Sequence, residues 1–117
     1  MATAAYTVLH DSARLKVIQW TITSTNVDGA PYPFSGRYPD KSLHVFGTFG
    51  AGGTLKGQGT NEITAPGNWY SLNDPQGNEL SFTAAKIEQV LENSFLFRPY
   101  LSAGTGVTLT VLLCLKV

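Results

Sequence analysis

The sequence predicts an all-β domain, a two-sheet β-sandwich of jelly-roll or related Greek-key type, with seven or eight strands and at most one short helix. Three observations predict it. Apolar and polar residues alternate with a period of two through most of the chain. Glycine and proline punctuate that alternation at spacings of about 8 to 12 residues. Hardly any stretch carries the 3.6-residue spacing of a helix.

Residues 1–12 read as a small, polar N-terminal arm ahead of a body over 13–117. Residues 6–9 can pair as a short strand, and an arm of this kind either docks on a neighbour, with Tyr6 as the anchoring ring, or frays. His10, Asp11 and Ser12 are the residue types of a hydrolase relay. Consecutive residues cannot stack into nucleophile, base and orienter, which come from distant segments, so Asp11 and Ser12 read as a turn.

Residues 14–23, RLKVIQWTIT, set Leu15 and Val17 against Ile18, Trp20 and Ile22. The phase change at Val17 and Ile18 predicts a bulge or a strand that passes between sheets. Trp20 reads as core. Residues 26–40, NVDGAPYPFSGRYPD, hold three prolines and the rings of Tyr32, Phe34 and Tyr38. Proline excludes a central strand, and three large rings left in water would each forgo burial at ~25 cal/mol per Å². The loop therefore packs on something: either the open end of its own sandwich, or another subunit, met by Tyr32, Phe34, Arg37 and Tyr38, since aromatics and arginine are enriched at interfaces.

Residues 43–49 place Leu43, Val45, Gly47 and Phe49 on one face. Gly50, Ala51, Gly52 and Gly53 then allow a reversal, and 54–60 resumes the alternation, which predicts a β-hairpin with Leu55 facing the same core as Val45. A polar loop over 61–68 follows, then a short strand at Trp69, Tyr70, Ser71 and Leu72. The run Asp74, Pro75, Gln76, Gly77 suits a tight turn. Thr83 as N-cap, with Ile87, Val90 and Leu91 at helical spacing, predicts one or two helical turns over 84–92. In 94–102, Phe95, Phe97 and Leu101 share a face, and Pro99 points to a sheet edge or bulge. In 107–117, Val107, Leu109, Val111, Leu113, Leu115 and Val117 form one apolar face and Leu112 and Cys114 add a second, so this strand must lie centrally or be covered. The long connections over 26–40 and 61–68 suit crossovers between sheets, which favours a jelly roll over an up-and-down barrel.

Composition narrows the function classes. A chain of 117 residues is one domain, able to bury roughly two thirds of its unfolded surface. Eight basic and eight acidic residues give no net charge. Arg14, Lys16, Arg37, Lys41, Lys56, Lys86, Arg98 and Lys116 are scattered and read as solvated rims, against a nucleic-acid partner. Cys114 is the lone cysteine, so no internal disulfide or zinc cage is available. The first residues lack a secretory signal, and the most apolar run is shorter than the ~20 residues of a membrane helix. His10 and His44 are the only histidines, read as a turn residue and a strand residue rather than as catalysts.

The run HVFGTFGAGGTLKGQGT, followed by NWYSLNDPQGNELSFTAAKIEQVLEN, FRPYL and the closing SAGTGVTLTVLL, resembles the head decoration, or cement, proteins encoded beside the major capsid protein of tailed bacteriophages. The likeness covers residues 43–115 and is one of pattern: G-x-F-G-x-G-G-T, N-W-x-x-L, D-P-Q-G-N and a strand ending in R-P. It implies a virion structural protein, made in the host cytoplasm, that binds the outside of an icosahedral shell as a trimer or dimer. The partners it implies are the major capsid protein and copies of the chain, with no membrane, nucleic acid, cofactor or catalytic residue. On this reading the aromatic loop and the N-terminal arm carry the contacts. The alternative is a carbohydrate-binding or adhesin module of a phage tail or fibre, in which Trp69 and Tyr70 stack on sugar. Against it, the acidic and amide residues do not cluster near these rings in sequence, and no calcium loop is evident.

Overall fold

The structure, a computed structural model, describes residues 3–34 and 38–117. The strands are β1 (Thr3–Ala4), β2 (Tyr6–Asp11), β3 (Leu15–Thr23), β4 (Asp28–Gly29), β5 (Tyr32–Pro33), β6 (Asp40–Thr48), β7 (Ala51–Thr60), β8 (Tyr70–Ser71), β9 (Ser81–Phe82), β10 (Lys86–Gln89), β11 (Leu96–Thr105) and β12 (Thr108–Lys116). One sheet runs β10-β6-β12-β3-β2. The other runs β1-β4-β11-β7-β8, with β5 also on β11 and β9 also on β7. The two sheets stack as a sandwich.

The pairing is nested. β3 lies beside β12, β4 and β5 beside β11, β6 beside β10, and β7 beside β8 and β9, all antiparallel. Successive members of this series alternate between sheets except at β7 to β9, which is the winding of a jelly roll made of two Greek keys. The expected fold class is therefore the observed one, and among the described residues there is no helix.

Inward-facing residues of both sheets meet in one core. Ile18, Trp20, Ile22, Leu43, Val45, Leu109, Val111, Leu113 and Leu115 come from the five-stranded sheet, and Leu55, Phe82, Phe97 and Leu101 from the other. Burying each such side chain stabilises the fold by roughly 1.5–3 kcal/mol. Trp20 is fully buried, and its Nε1 donates to the Ala30 carbonyl at 3.0 Å, so the indole bonds the loop that crosses to the facing sheet. β12 is central, flanked by β6 and β3, which covers the apolar strand as its composition requires.

Several sequence expectations are corrected. Residues 43–60 do not form a hairpin: β6 pairs with β12 and β10, whereas β7 pairs with β11, β8 and β9. The chain changes sheet at Phe49 and Gly50, so Val45 and Leu55 face one core from opposite sides. A two-residue period tells which side chains point inward but not which strand lies alongside. Residues 84–92 are not helical. Lys86–Gln89 pair antiparallel with Val45, His44, Leu43 and Ser42, and of the three residues at helical spacing only Val90 is buried. The ladder bonds of an open sheet edge outweigh a weak local preference.

The loop over 61–68 joins β7 to β8 within one sheet and is not a crossover, whereas 26–40 crosses twice, through β4 and β5. Pro99 lies in a central strand, opposite Gly57. Its missing donor is tolerated because Gly57 bonds away from it, toward Leu72 and Leu80, while the other side of Pro99 faces the break between β4 and β5. The bulge expected in residues 14–23 falls in the partner strand: Val8 pairs with Ile18 and His10 with Val17, leaving Leu9 extra. Residues 6–11 form a strand, as the pairing expected for 6–9 required, and residues 3–4 pair in the other sheet, so the segment read as an arm contributes to both sheets. Lys41, read as a solvated cation, is 2 % exposed.

Candidate functional site

The proposed contact rings are mostly occupied by their own chain. Tyr32 is buried, pairs with Phe97 across β5 and β11, and meets the edge of Tyr6 at 5.2 Å. Phe34 is half-buried and stacks on Phe97 at 5.3 Å with planes 23° apart. Tyr38 is buried, and its hydroxyl donates to the Ser12 carbonyl at 3.2 Å. Arg37 lies outside the described residues. Tyr6 is the ring of this set that remains at the surface, 37 % exposed. Of the two readings of the loop, its three described rings fit packing against their own sandwich.

Lys41 continues the inward phase of Leu43 and Val45 at the end of β6. Its ammonium donates to the Asn93 Oδ1 and, at 3.4 Å, to the Pro39 carbonyl, and lies 5.3 Å from the centre of the Phe34 ring. Burial pushes its pKa below the ordinary lysine value, and Asp40 and Glu92 oppose that shift. The phase of Lys41 with Leu43 and Val45 was a sequence signal for this placement.

On the outer face of the other sheet, Arg98 stands 4.4 Å from the Trp69 ring centre and 5.1 Å from that of Tyr100. Its Nε donates to Gln58 Oε1 at 3.0 Å, and Nη1 lies 3.5 Å from Asp28. Burial lowers its pKa, with Asp28 and Tyr100 pulling the other way. Trp69 is thus capped by a guanidinium, while Tyr70, in β8, is 70 % exposed.

Beside Tyr70 a polar groove of about 640 Å³ opens between the end of β7, the loop before β8 and residues 92–94. Its carboxylates are held by donors. Glu62 accepts from the Gly67 and Asn68 backbone N–H groups at 2.9 and 2.8 Å and from Asn68 Nδ2 at 3.1 Å, and these bonds hold its pKa below the ordinary value. Glu92 accepts from the backbone N–H and the Nδ2 of Asn73, both at 2.7 Å. Asn61 Oδ1 accepts from the Phe95 N–H at 2.8 Å. The fold has brought Glu92 and Asn93 to Asn61, Glu62 and Asn68 next to an exposed aromatic ring, a meeting of two segments about 25 residues apart that the sequence did not show.

Elsewhere among the described residues, ionisable groups meet in surface pairs such as Lys56 with Glu79 at 2.9 Å and Lys16 with Asp11 at 3.6 Å. His44 packs on Phe46 at 4.8 Å, and His10 pairs with Val17. Among the described residues no three His, Cys, Asp or Glu side chains form a group able to hold a metal ion.

These features define a jelly-roll sandwich with an apolar edge strand at one side and a polar groove at the other. No family model matches the chain, and no curated protein matches it significantly. Among solved structures it is similar to a cupin domain from Bordetella pertussis Tohama I, with 15% identity and a TM-score of 0.45 over 98% of this chain and 93% of that one.

Proposed function

We propose that this chain is a virion structural protein that binds the outer surface of an icosahedral bacteriophage capsid and stabilises it, without catalysis. The observation that carries the reading is β2. It is the last strand of its sheet, and its side chains facing the interior are only partly covered: Tyr6, though it meets Tyr32, is 37 % exposed and Val8 46 %, with the bulged Leu9 at 53 %. An uncovered edge with apolar side chains invites strand pairing and burial against another chain. The pattern likeness over residues 43–115 supplies the identity of that chain: a major capsid subunit or a further copy of this protein.

Binding to the assembled shell and not to its separated subunits stabilises the shell by RT ln(1 + [L]/Kd) per site. Repetition over a symmetric lattice turns modest contacts into avidity where copies are linked as dimers or trimers. The test is cryo-electron microscopy of shells of the cognate major capsid protein with and without the chain. Density outside the shell, lost with a folded Tyr6→Ala, Val8→Asp variant, is the expected result. Bare shells in the presence of folded wild-type chain would end the proposal.

A further inference from the structure

We infer that the groove beside Tyr70 is a binding site for a neutral saccharide. This goes beyond shell binding and is independent of it, because the groove and β2 lie on opposite edges: β8 ends one sheet, and β2 ends the other at the side where β1 contacts β3. The groove's volume, about 640 Å³, falls within the roughly 300–1,000 Å³ of small-ligand sites.

The ligand class follows from which polar atoms are already engaged. Asn61 Oδ1 is held by a backbone N–H and Asn93 Oδ1 by the Lys41 ammonium. Both of these partners can only donate, so each amide orientation is set, and each Nδ2 is left as a donor without a hydrogen-bond partner among the described residues. Glu62 and Glu92 are fixed by N–H donors but retain acceptor capacity, because a carboxylate has about four lone-pair sites. The groove thus offers oriented donors and oriented acceptors together.

A hydroxyl answers both, accepting from an amide and donating to a carboxylate. An anion does not suit the site, since two carboxylates and no described cation line it, and the ammonium of Lys41 behind Asn93 is engaged with Asn93 and Pro39. Tyr70 adds an exposed ring of the amphipathic kind that packs against the C–H face of a sugar while its hydroxyl stays wet. Trp69, the other ring considered for stacking, is covered by Arg98 and takes no part.

The experiment is an amide-shift NMR titration of the full ¹⁵N-labelled chain with cellohexaose, hexa-N-acetylchitohexaose, laminarihexaose and mannohexaose, each to about 10 mM, and with a heparin hexasaccharide as the anionic comparison. At least one neutral sugar should saturably shift the amides of Gly59, Asn61, Asn68, Tyr70 and Asn93. Tyr70→Ala, at an exposed position, should weaken that binding about tenfold while leaving the rest of the spectrum in place. Glu62→Gln should weaken it as well. The inference is overturned if no neutral sugar moves these amides, if only the heparin fragment does, or if the shifts map elsewhere or survive Tyr70→Ala unchanged. None of these outcomes bears on shell binding, which is read on β2.

Discussion

The ring of Pro99 occupies the space that a side chain on Gly29 would need: a Cβ at Gly29 would lie 2.6 Å from both Cδ and Cγ of the proline and 2.7 Å from Cδ1 of Trp20. β4 can therefore approach β11 closely just where β11 lacks an N–H. Gly29→Ala should destabilise the fold by ~1–3 kcal/mol, since proline and a fully buried indole have little room to move. Urea denaturation measures this. A loss under about half a kilocalorie would mean that the crossing loop yields easily and that the contact does not fix β4.

The buried rings of the crossing loop give a second outcome. Tyr38→Ala should cost about 3–5 kcal/mol, and Tyr38→Phe, which removes only the bond to the Ser12 carbonyl, about 1 kcal/mol. Replacing Tyr32, Phe34 and Tyr38 together by alanine should unfold the domain, whose whole stability is of the order of 5–15 kcal/mol. Circular dichroism separates the cases. A folded triple variant would return these rings to the role of external contacts.

Much of this fold was legible because burial has a period. Trp20 in the core, β12 at the centre of its sheet and the turn closed by the Gly77 N–H on the Asp74 carbonyl at 2.9 Å all follow from local pattern. Pairing was not legible. Nothing in HVFGTFGAGGTLKGQGT distinguishes a hairpin from a chain that changes sheet at Gly50, because both use the same alternation and the same glycines. The groove was hidden for a related reason: Asn61 and Glu62 reach Glu92 and Asn93 only through the nested winding. Lys41 differs, since its phase was readable and only its charge argued for the surface.

Gly50 and Gly52 separate conformation from crowding at the sheet change. Both have positive φ, 62° and 69°. A Cβ on Gly50 would fall 2.1 Å from the Thr105 carbonyl oxygen, whereas one on Gly52 meets nothing within 4 Å. Gly52→Ala should cost about 1 kcal/mol, the penalty for a left-handed alanine alone. Gly50→Ala should cost clearly more, about 2–4 kcal/mol, as backbone must shift against β11. Paired thermal melts would show this ordering, and equal losses would remove the close approach of Gly50 and Thr105 as its cause.

Lys41 makes a prediction with a definite sign in pH. Burial penalises its charged form, so its folded pKa lies below the ordinary value of 10.5. Below the folded pKa both states hold the proton and the penalty is fully present. Between the folded pKa and 10.5 the unfolded chain binds more protons, so stability rises with pH; above 10.5 the penalty is gone. Lys41→Met keeps the apolar stem and removes the titration. The unfolding free energy of the wild type minus that of Lys41→Met should therefore increase from neutral pH toward 10.5, since contributions common to both proteins cancel in the difference. Urea denaturation of both chains across this window is the measurement. A flat difference would mean that water reaches the ammonium. A falling one would mean that Asp40 and Glu92 outweigh burial and that the lysine is held as a cation by its neighbours.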